Sequence, residues 1–405
     1  IFLIMEGRTS WVSRCFGDSM PAVRDCDSFS ELIHERNKEE VAVIPFDSLL
    51  PDELLERIIA FLPIASIIRA SSVSKRWHEI VTSRRFLWGL TLTQQPWYFM
   101  FTSCDDPIGY AYDPVIRKWY NIKLPCIDKS NFFISSSCGL VCFMDASELY
   151  ICNPIMNSCK KLEELPGLKF SDYSTLAMSV DRDSHGYIIT VVKSKQVPGD
   201  FHRWDLSIHK YDSATMAWAS SWTEILDGWR SGNESVICDG VLYLLIYSTA
   251  VGLSVNRHGL VSYCLSGQSR NGLLMKSFIP VPCLLTCGRL MNLDGKLVMV
   301  GGVGKPDRLG VIKGIGIWVL EGNEWQEVAR MPQSSFQKFG EIDDVFASGG
   351  IGDLIYIHSY GASLLLVFDM KQKQWRWSHK CPVAKKFTLQ LFTGFCFEPS
   401  FGIAP

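Results

Sequence analysis

Lys305 ends the run "GGVGK", a glycine-rich stretch before a lysine, which is the arrangement that cradles phosphate groups on backbone N–H donors. That chemistry needs a Ser or Thr next, to hold magnesium, and Pro306 stands there; the leading glycine of the spacing is also missing. The run reads as a turn. The eight histidines form no HxH or HxxxH pair, so a metal site would have to be gathered from distant loops. The fourteen cysteines form no CxxC pair, and Cys138 with Cys142 and Cys283 with Cys287 read as core thiols rather than ligands. "NES" at Asn233 is a glycosylation acceptor only in a secreted chain. No catalytic residue, metal site or cofactor is expected.

Binding chemistry is better represented. Four long segments between apolar runs carry aromatic and cationic side chains, the residue types that anchor interfaces. They are "KSKQVPGDFHRWD" with His202, Arg203 and Trp204, "LDGWRSGNE" with Trp229 and Arg230, "GVGKPDRLG" with Arg308, and "QSSFQKFGE" with Phe336 and Lys338. Loops on a rigid frame can vary without cost to the core, so these eight residues are the candidates for reading a target.

The frame itself must come from the rest of the 405 residues, which are 47% hydrophobic and 20% charged, the composition of a well-packed protein of two or three domains. A net charge of -2 gives no excess of either sign, so neither nucleic acid nor an anionic membrane is expected as a partner. The opening "IFLIM" is too short for a signal peptide, and no run reaches the roughly 18 apolar residues of a membrane-spanning helix. With scattered cysteines, the expectation is reduced thiols in a protein of the cytoplasm or nucleus. Met5 is the expected natural start, with Ile1 to Ile4 upstream of it.

Residues 1–44 are aperiodic and end in "HERNKEE", a solvated, flexible leader. Helical periodicity then runs from Pro51 to Trp88. Pro51 suits the first helical position, and Asp52 and Glu53 suit the positive end of the helix dipole. Leu54, Leu55, Ile58, Ile59 and Leu62 form one wide apolar face; Ile64, Ile67 and Ile68 form a second pattern, and Val73, Trp77, Ile80 and Val81 a third. The reading is a three-helix unit over 45–90. A unit this small, below about 60 residues, buries too little surface to be comfortable alone. Either the rest of the chain or a partner covers its apolar face, and by physics alone the two are equal.

After the stiff spacer "LTLTQQP", which is expected to hold the domains in a fixed orientation, the helical period disappears. Short apolar or alternating runs separated by Gly, Asp, Asn and Pro mark an all-β domain. One element recurs: a strand, Asp or Asn, and six positions later a Trp. It appears as Asp113/Trp119, Asn153/Cys159, Asp212/Trp218 and Asp369/Trp375, with a tighter Gly322-Asn323 turn before Trp325 and a degenerate copy in "LVSYCLSGQSRNGLLMKSF". The acid or amide starts the turn and the indole wedges between neighbouring sheets. Upstream of the hairpins a small residue with Gly precedes an apolar strand, at Cys138, His185, Asp239, Asp294 and Gly352. Six such units in about 300 residues average about 50, the kelch-repeat period, and predict a six-bladed propeller, with five and seven as neighbouring counts. Blade one lacks a strand and Leu389 to Phe397 is left over, so the C-terminal strand is expected to complete blade one from its inner side.

The helical stretch resembles an F-box through Leu50-Pro51-x-Glu53, Ile58-Ile59, Leu62-Pro63, Val73, Lys75, Trp77 and Trp88, with Ser74 where that family most often has Cys. The chain as a whole resembles the plant F-box/kelch-repeat proteins. That resemblance implies an α+β multidomain protein: leader 1–44, three-helix F-box 45–90, linker 91–96, and a kelch-type propeller over 97–400. It implies Leu50, Pro51, Ile58, Leu62 and Val73 at the contact with a Skp-type adaptor and through it a cullin, and Trp77 knitting the helices together. It implies a non-catalytic receptor that holds an unidentified target protein for ubiquitination. Two alternatives stay open: a propeller oxidase with copper held by paired His and Tyr, and a kelch scaffold with no ligase role.

Overall fold

Leu49 to Pro63 contains more apolar surface than one helix stripe can bury, and the computed structural model shows how it is divided. The structure describes residues 50–89, 95–102, 109–122, 124, 133–144, 148–163, 165, 173–249, 257–266, 274–305, 308–339, 346–360, 362–382 and 392–405. The expected leader and most of the expected linker, residues 90–94, lie outside them. Two compact units result, divided between Gln94 and Gln95.

The first unit holds the three expected helices, α1 (Asp52–Ala60), α2 (Ile64–Ala70) and α3 (Lys75–Thr82), and a short fourth, α4 (Arg84–Gly89). Pro51 is the cap of α1 rather than its first residue, because its ψ of 149° is extended; its carbonyl accepts from the N–H groups of Leu54 and Leu55. Asp52 does occupy the first turn, and Arg76 of α3 donates to it at 2.8 Å and to the Leu50 carbonyl. The wide apolar face of α1 splits in two. Leu55 and Ile59 are buried with Ile64, Ile67, Ile68, Ile80 and Val81, while Leu54 and Ile58 face outward. Each buried side chain contributes roughly 1.5 to 3 kcal/mol relative to exposure.

The second unit is six four-stranded antiparallel sheets. Blade one contains β1 (Trp97–Thr102), β2 (Gly109–Asp113) and β3 (Lys118–Asn121); blade two β4 (Phe133–Ser137), β5 (Leu140–Met144), β6 (Leu149–Asn153) and β7 (Ser158–Lys161). Blade three is β8 (Tyr173–Val180), β9 (Tyr187–Gln196), β10 (Arg203–Asp212) and β11 (Ala217–Asp227); blade four is β12 (Trp229–Cys238), β13 (Val241–Ser248), β14 (His258–Cys264) and β15 (Ile279–Pro280). Blade five is β16 (Leu285–Leu293), β17 (Lys296–Lys305), β18 (Arg308–Glu321) and β19 (Glu324–Arg330), followed by helix α5 (Gln333–Phe339). Blade six is β20 (Phe346–Ile351), β21 (Leu354–Ser359), β22 (Leu366–Asp369) and β23 (Gln374–Trp377). The last strand, β24 (Phe392–Phe397), pairs with β1 and completes blade one, Trp97 opposite Phe397 and Thr102 opposite Phe392. Leu389 to Leu391, expected in that strand, lie outside the described residues. The strands β4, β8, β12, β16, β20 and β24 touch in that order, and β24 touches β4, so the ring closes on itself. Six blades are present.

Local chemistry accounts for the repeat. Asp113, Asn153, Asp212 and Asp369 each accept from the N–H two residues on, and Arg117, Asn157, Met216 and Lys373, four residues on, take positive φ near 50°. Trp119 packs on Tyr112 at 5.1 Å and donates to the His379 carbonyl of blade six; Trp218 packs on Tyr211 and donates to the Glu163 carbonyl beyond blade two. The indoles thus join neighbouring blades as expected. In blades two, four, five and six the small-residue-plus-Gly element is the two-residue turn between first and second strands, with positive φ at both Asp239 and Gly240 and at both Asp294 and Gly295; in blade three His185 and Gly186 end the longer connection between Val180 and Tyr187.

Asn153 stands where three other hairpins have Asp for a reason visible only in the fold. Its Nδ2 donates to the carbonyls of Ser400 (3.0 Å) and Ile403 (2.8 Å), which fastens the C-terminal tail onto blade two. Arg182 pairs with Glu398 at 2.8 Å, and the Ser136 hydroxyl bonds the Cys396 carbonyl. Nine cysteines among the described residues are free, as the scattered pattern predicts; Cys159 is disulfide-bonded, a correction to the reading of every cysteine as a reduced thiol.

Candidate functional site

Two surfaces stand out, one on each unit. On the helical unit, Leu54 (45% exposed), Ile58 (49%) and Phe61 (83%) follow one another at spacings of four and three, which puts them on one stripe of α1. Val73 is 64% exposed, and the Arg76 bonds to Leu50 and Asp52 bring the start of α3 to the start of α1. Leu50 and Leu62 are half-buried, Pro51 is exposed and Trp77 is half-buried. Within this unit, large aliphatic and aromatic side chains meet water along a strip bordered by Asp52 and Glu53.

On the propeller, connectivity alone sorts the loops by face. The two-residue turns and the Asp/Asn hairpins join first to second and third to fourth strands, so they share one face. Connections from second to third strand and from one blade to the next share the other. His202 (between β9 and β10), Arg203 (first residue of β10), Trp229 and Arg230 (start of β12), Arg308 (start of β18) and Phe336 and Lys338 (α5) all fall on this second face. Their local structure differs from the expected loops. The first segment is mostly strand, with Val197 to His202 as the tip of a long hairpin, and β11 runs into β12 through Gly228, whose φ is +73°. In "GVGKPDRLG" Gly302 to Lys305 end β17 and Arg308 to Gly310 begin β18, Pro306 and Asp307 lying outside the described residues, and "QSSFQKF" is a helix.

Two of the eight residues are corrected as exposed anchors. Trp204 is 8% exposed, packed on Tyr173 at 5.6 Å, because strand alternation turns it inward beside exposed Arg203. Phe336 is 6% exposed in the core shared by blades five and six, while Lys338 on the same helix is exposed. Trp229 is half-buried against Phe278 at 5.2 Å. Arg230 lies over Tyr173 (3.9 Å) and Tyr247 (5.1 Å). Deeper in the ring, Arg289 of β16 pairs with Glu234 of β12 at 3.3 Å and bonds the Phe346 carbonyl; burial pushes the Glu234 carboxyl up, opposed by Arg289. Among the described residues no group of three or more His, Cys, Asp or Glu is placed to hold a metal, and no helix is long and apolar enough to cross a membrane.

The family description "F-box domain" matches residues 48–89, and "KIB1-4 beta-propeller" matches residues 103–377. The F-box/kelch-repeat protein At3g61590 of Arabidopsis thaliana is 57% identical over 99% of this chain and 100% of its own length. This chain belongs to the F-box/kelch-repeat family. Protein UNUSUAL FLORAL ORGANS of Arabidopsis thaliana is 26% identical over 83% of this chain and 79% of its own length. SKP1-interacting partner 15, from the same plant, is 24% identical over 88% of this chain and 98% of its own length.

In the F-box, Ser74 is more than a tolerated substitute for Cys: its Oγ caps α3 by accepting from the Trp77 N–H at 3.2 Å. Leu54 and Phe61 were absent from the expected adaptor contact although they share the stripe of Ile58; the three-and-four spacing from Ile58 is the signal that finds them. In the propeller, Phe201 at the β9–β10 tip is 78% exposed, and nothing in its spacing sets it apart from a buried strand residue.

Proposed function

We propose that this F-box/kelch-repeat protein is the target-recognition subunit of an SCF-type ubiquitin ligase working in the cytoplasm or nucleus. The observation that carries this reading is the exposed stripe of Leu54, Ile58 and Phe61 with Val73, in the segment matched as an F-box. Apolar side chains in a row, unpartnered within their own unit, suit a helical partner's groove. The relative SKP1-interacting partner 15 aligns over nearly its whole length and supports a Skp-type adaptor as that partner, with a cullin beyond it.

The chain itself performs no bond-making in this reading. The adaptor end joins the ligase and the propeller face with the long connections holds the target, so a separate ubiquitin-carrying enzyme meets target lysines at high effective concentration. The test is capture of purified Skp adaptor by the full chain. Leu50→Ala with Pro51→Ala, and separately Ile58→Ala with Val73→Ala, are expected to weaken capture by at least about 2 kcal/mol, since truncated interface anchors each cost that much. Capture at the original affinity by both double variants overturns the assignment.

A further inference from the structure

The F-box stripe is accounted for by an adaptor; the propeller face holds a feature that a scaffold does not require. Arg230, second residue of β12, stands at the junction of blades three and four with its guanidinium against the rings of Tyr173 and Tyr247. Cation and aromatic face attract, so this side chain is held in place rather than sweeping through solvent. Its charge has no acidic partner among the described residues: one N–H donates to the Ser231 carbonyl at 3.1 Å, and no carboxylate lies within ion-pair reach. Arg289, on the neighbouring inner strand, shows what a purely structural arginine looks like in this ring, since Glu234 neutralises it.

Two further polar side chains, each packed on one of those tyrosines, lack hydrogen-bond partners among the described residues. His258 packs edge-on against Tyr247 at 4.5 Å, is 4% exposed, and neither of its ring nitrogens is hydrogen-bonded. Burial, with Arg230 and Arg257, lowers its pKa to about 4, so at neutral pH it is an uncharged ring with one N–H to give. Trp204 packs on Tyr173 and its indole N–H is likewise unpaired. Buried polar groups are nearly always bonded in folded proteins, so two orphans on the tyrosines that hold one uncompensated cation call for a ligand.

We propose that Arg230 is an oxyanion anchor that receives a carboxylate or phosphate group borne by the target segment, with the Trp204 and His258 N–H groups as neighbouring donors. With aromatic rings against it, the guanidinium leaves its N–H edge to a ligand, and that planar fork matches carboxylate and phosphate oxygens two at a time. All five residues lie on the face of the long connections. This assignment deepens the receptor reading and rests on it for the source of the anion.

The experiment uses the full chain labelled with ¹⁵N-arginine, titrated with a capped Glu-Glu peptide, a capped phosphoserine peptide and inorganic phosphate. The Arg230 Nε–H signal, assigned by its loss in Arg230→Gln, is expected to shift saturably with at least one peptide. Binding of that peptide falls roughly tenfold or more in Arg230→Gln and is unchanged in Lys380→Gln, which alters an exposed cation of the same face beyond β23, outside the candidate target contacts. The better peptide tells an acidic from a phosphorylated source. A shift with inorganic phosphate alone, no saturable shift, or equal loss in the Lys380 and Arg230 variants overturns the proposal. Adaptor capture by Arg230→Gln is expected to equal that of the parent, so failure here leaves the receptor reading standing, and failure of adaptor capture leaves the anion site standing.

Discussion

The F-box and the propeller solve the same burial problem in opposite ways. The helical unit is too small to enclose its apolar residues and leaves Leu54, Ile58 and Phe61 along one stripe, and Val73 before α3, in water. The propeller curls its sheets into a ring in which each blade covers the next, and its exposed large apolar side chains, Val115, Phe201, Met216 and Ile225, lie singly at hairpins and an edge strand of blades one and three. On the receptor reading proposed above, an incomplete core is the binding device of the first region, whereas the second completes its core internally and leaves binding to polar and aromatic groups at one face.

The harshest way to break this contrast is to open the ring. Deleting Thr388 to Pro405 removes β24 and the tail, exposing the inner edge of β1 and uncovering blade two. The expected outcome is loss of the cooperative melting transition and aggregation, read by calorimetry and gel filtration; a normal melt would show that the propeller does not depend on closure.

Next in size is the split within α1. Leu55→Ala removes a buried side chain of the helical unit and is expected to cost about 2 to 5 kcal/mol, enough to melt so small a unit and abolish adaptor capture together with its helical signal. Ile58→Ala is expected to weaken capture with the far-UV helical signal and melting unchanged. If Ile58→Ala unfolds the unit as Leu55→Ala does, the exposed stripe is core after all.

Asn153 sharpens the propeller side. Asn153→Asp keeps the acceptor that starts the turn but sets an oxygen against the Ser400 and Ile403 carbonyls, for a loss of about 2 to 4 kcal/mol. Asp113→Asn, at the same repeat position in blade one, is expected to cost under about 1 kcal/mol. Denaturant titration of both variants checks the pair, and equal losses would remove the latch.

The smallest effect is that of His258. Its folded pKa of about 4 lies below the unfolded value of about 6.5, so the stability tied to its neutral form is complete above about pH 6.5 and is lost as pH falls through about 4. About 2 kcal/mol is expected over that window, and His258→Gln should flatten that part of the stability curve. An unchanged slope in the variant means the ring is solvated in solution.

Much of the architecture was legible along the chain because its signals are local. An Asp or Asn with a Trp six positions on encodes a turn and its cross-strand partner within a dozen residues or so, and the apolar period marks α1 to α3 the same way. Even ring closure could be counted, since one strand was missing at Trp97 and one was spare at Phe397. The candidate sites were legible only in part. Trp204 and Arg203 are neighbours with opposite fates, decided by which side of β10 faces Tyr173, and Phe336 and Lys338 divide likewise on α5.

What the sequence by itself determined was therefore the order of the helical and β regions and the recurring hairpin, since each depends on spacings within a few residues; the count of six blades, which the period left between five and seven, was decided by the closed ring. Tertiary structure alone decided which apolar residues of α1 stay wet, why position 153 is Asn, and that Tyr173, Arg230, Tyr247 and His258 meet. Those outcomes hang on contacts between residues tens to hundreds of positions apart, which no local pattern carries because either side of a strand or helix can be buried until its neighbour arrives.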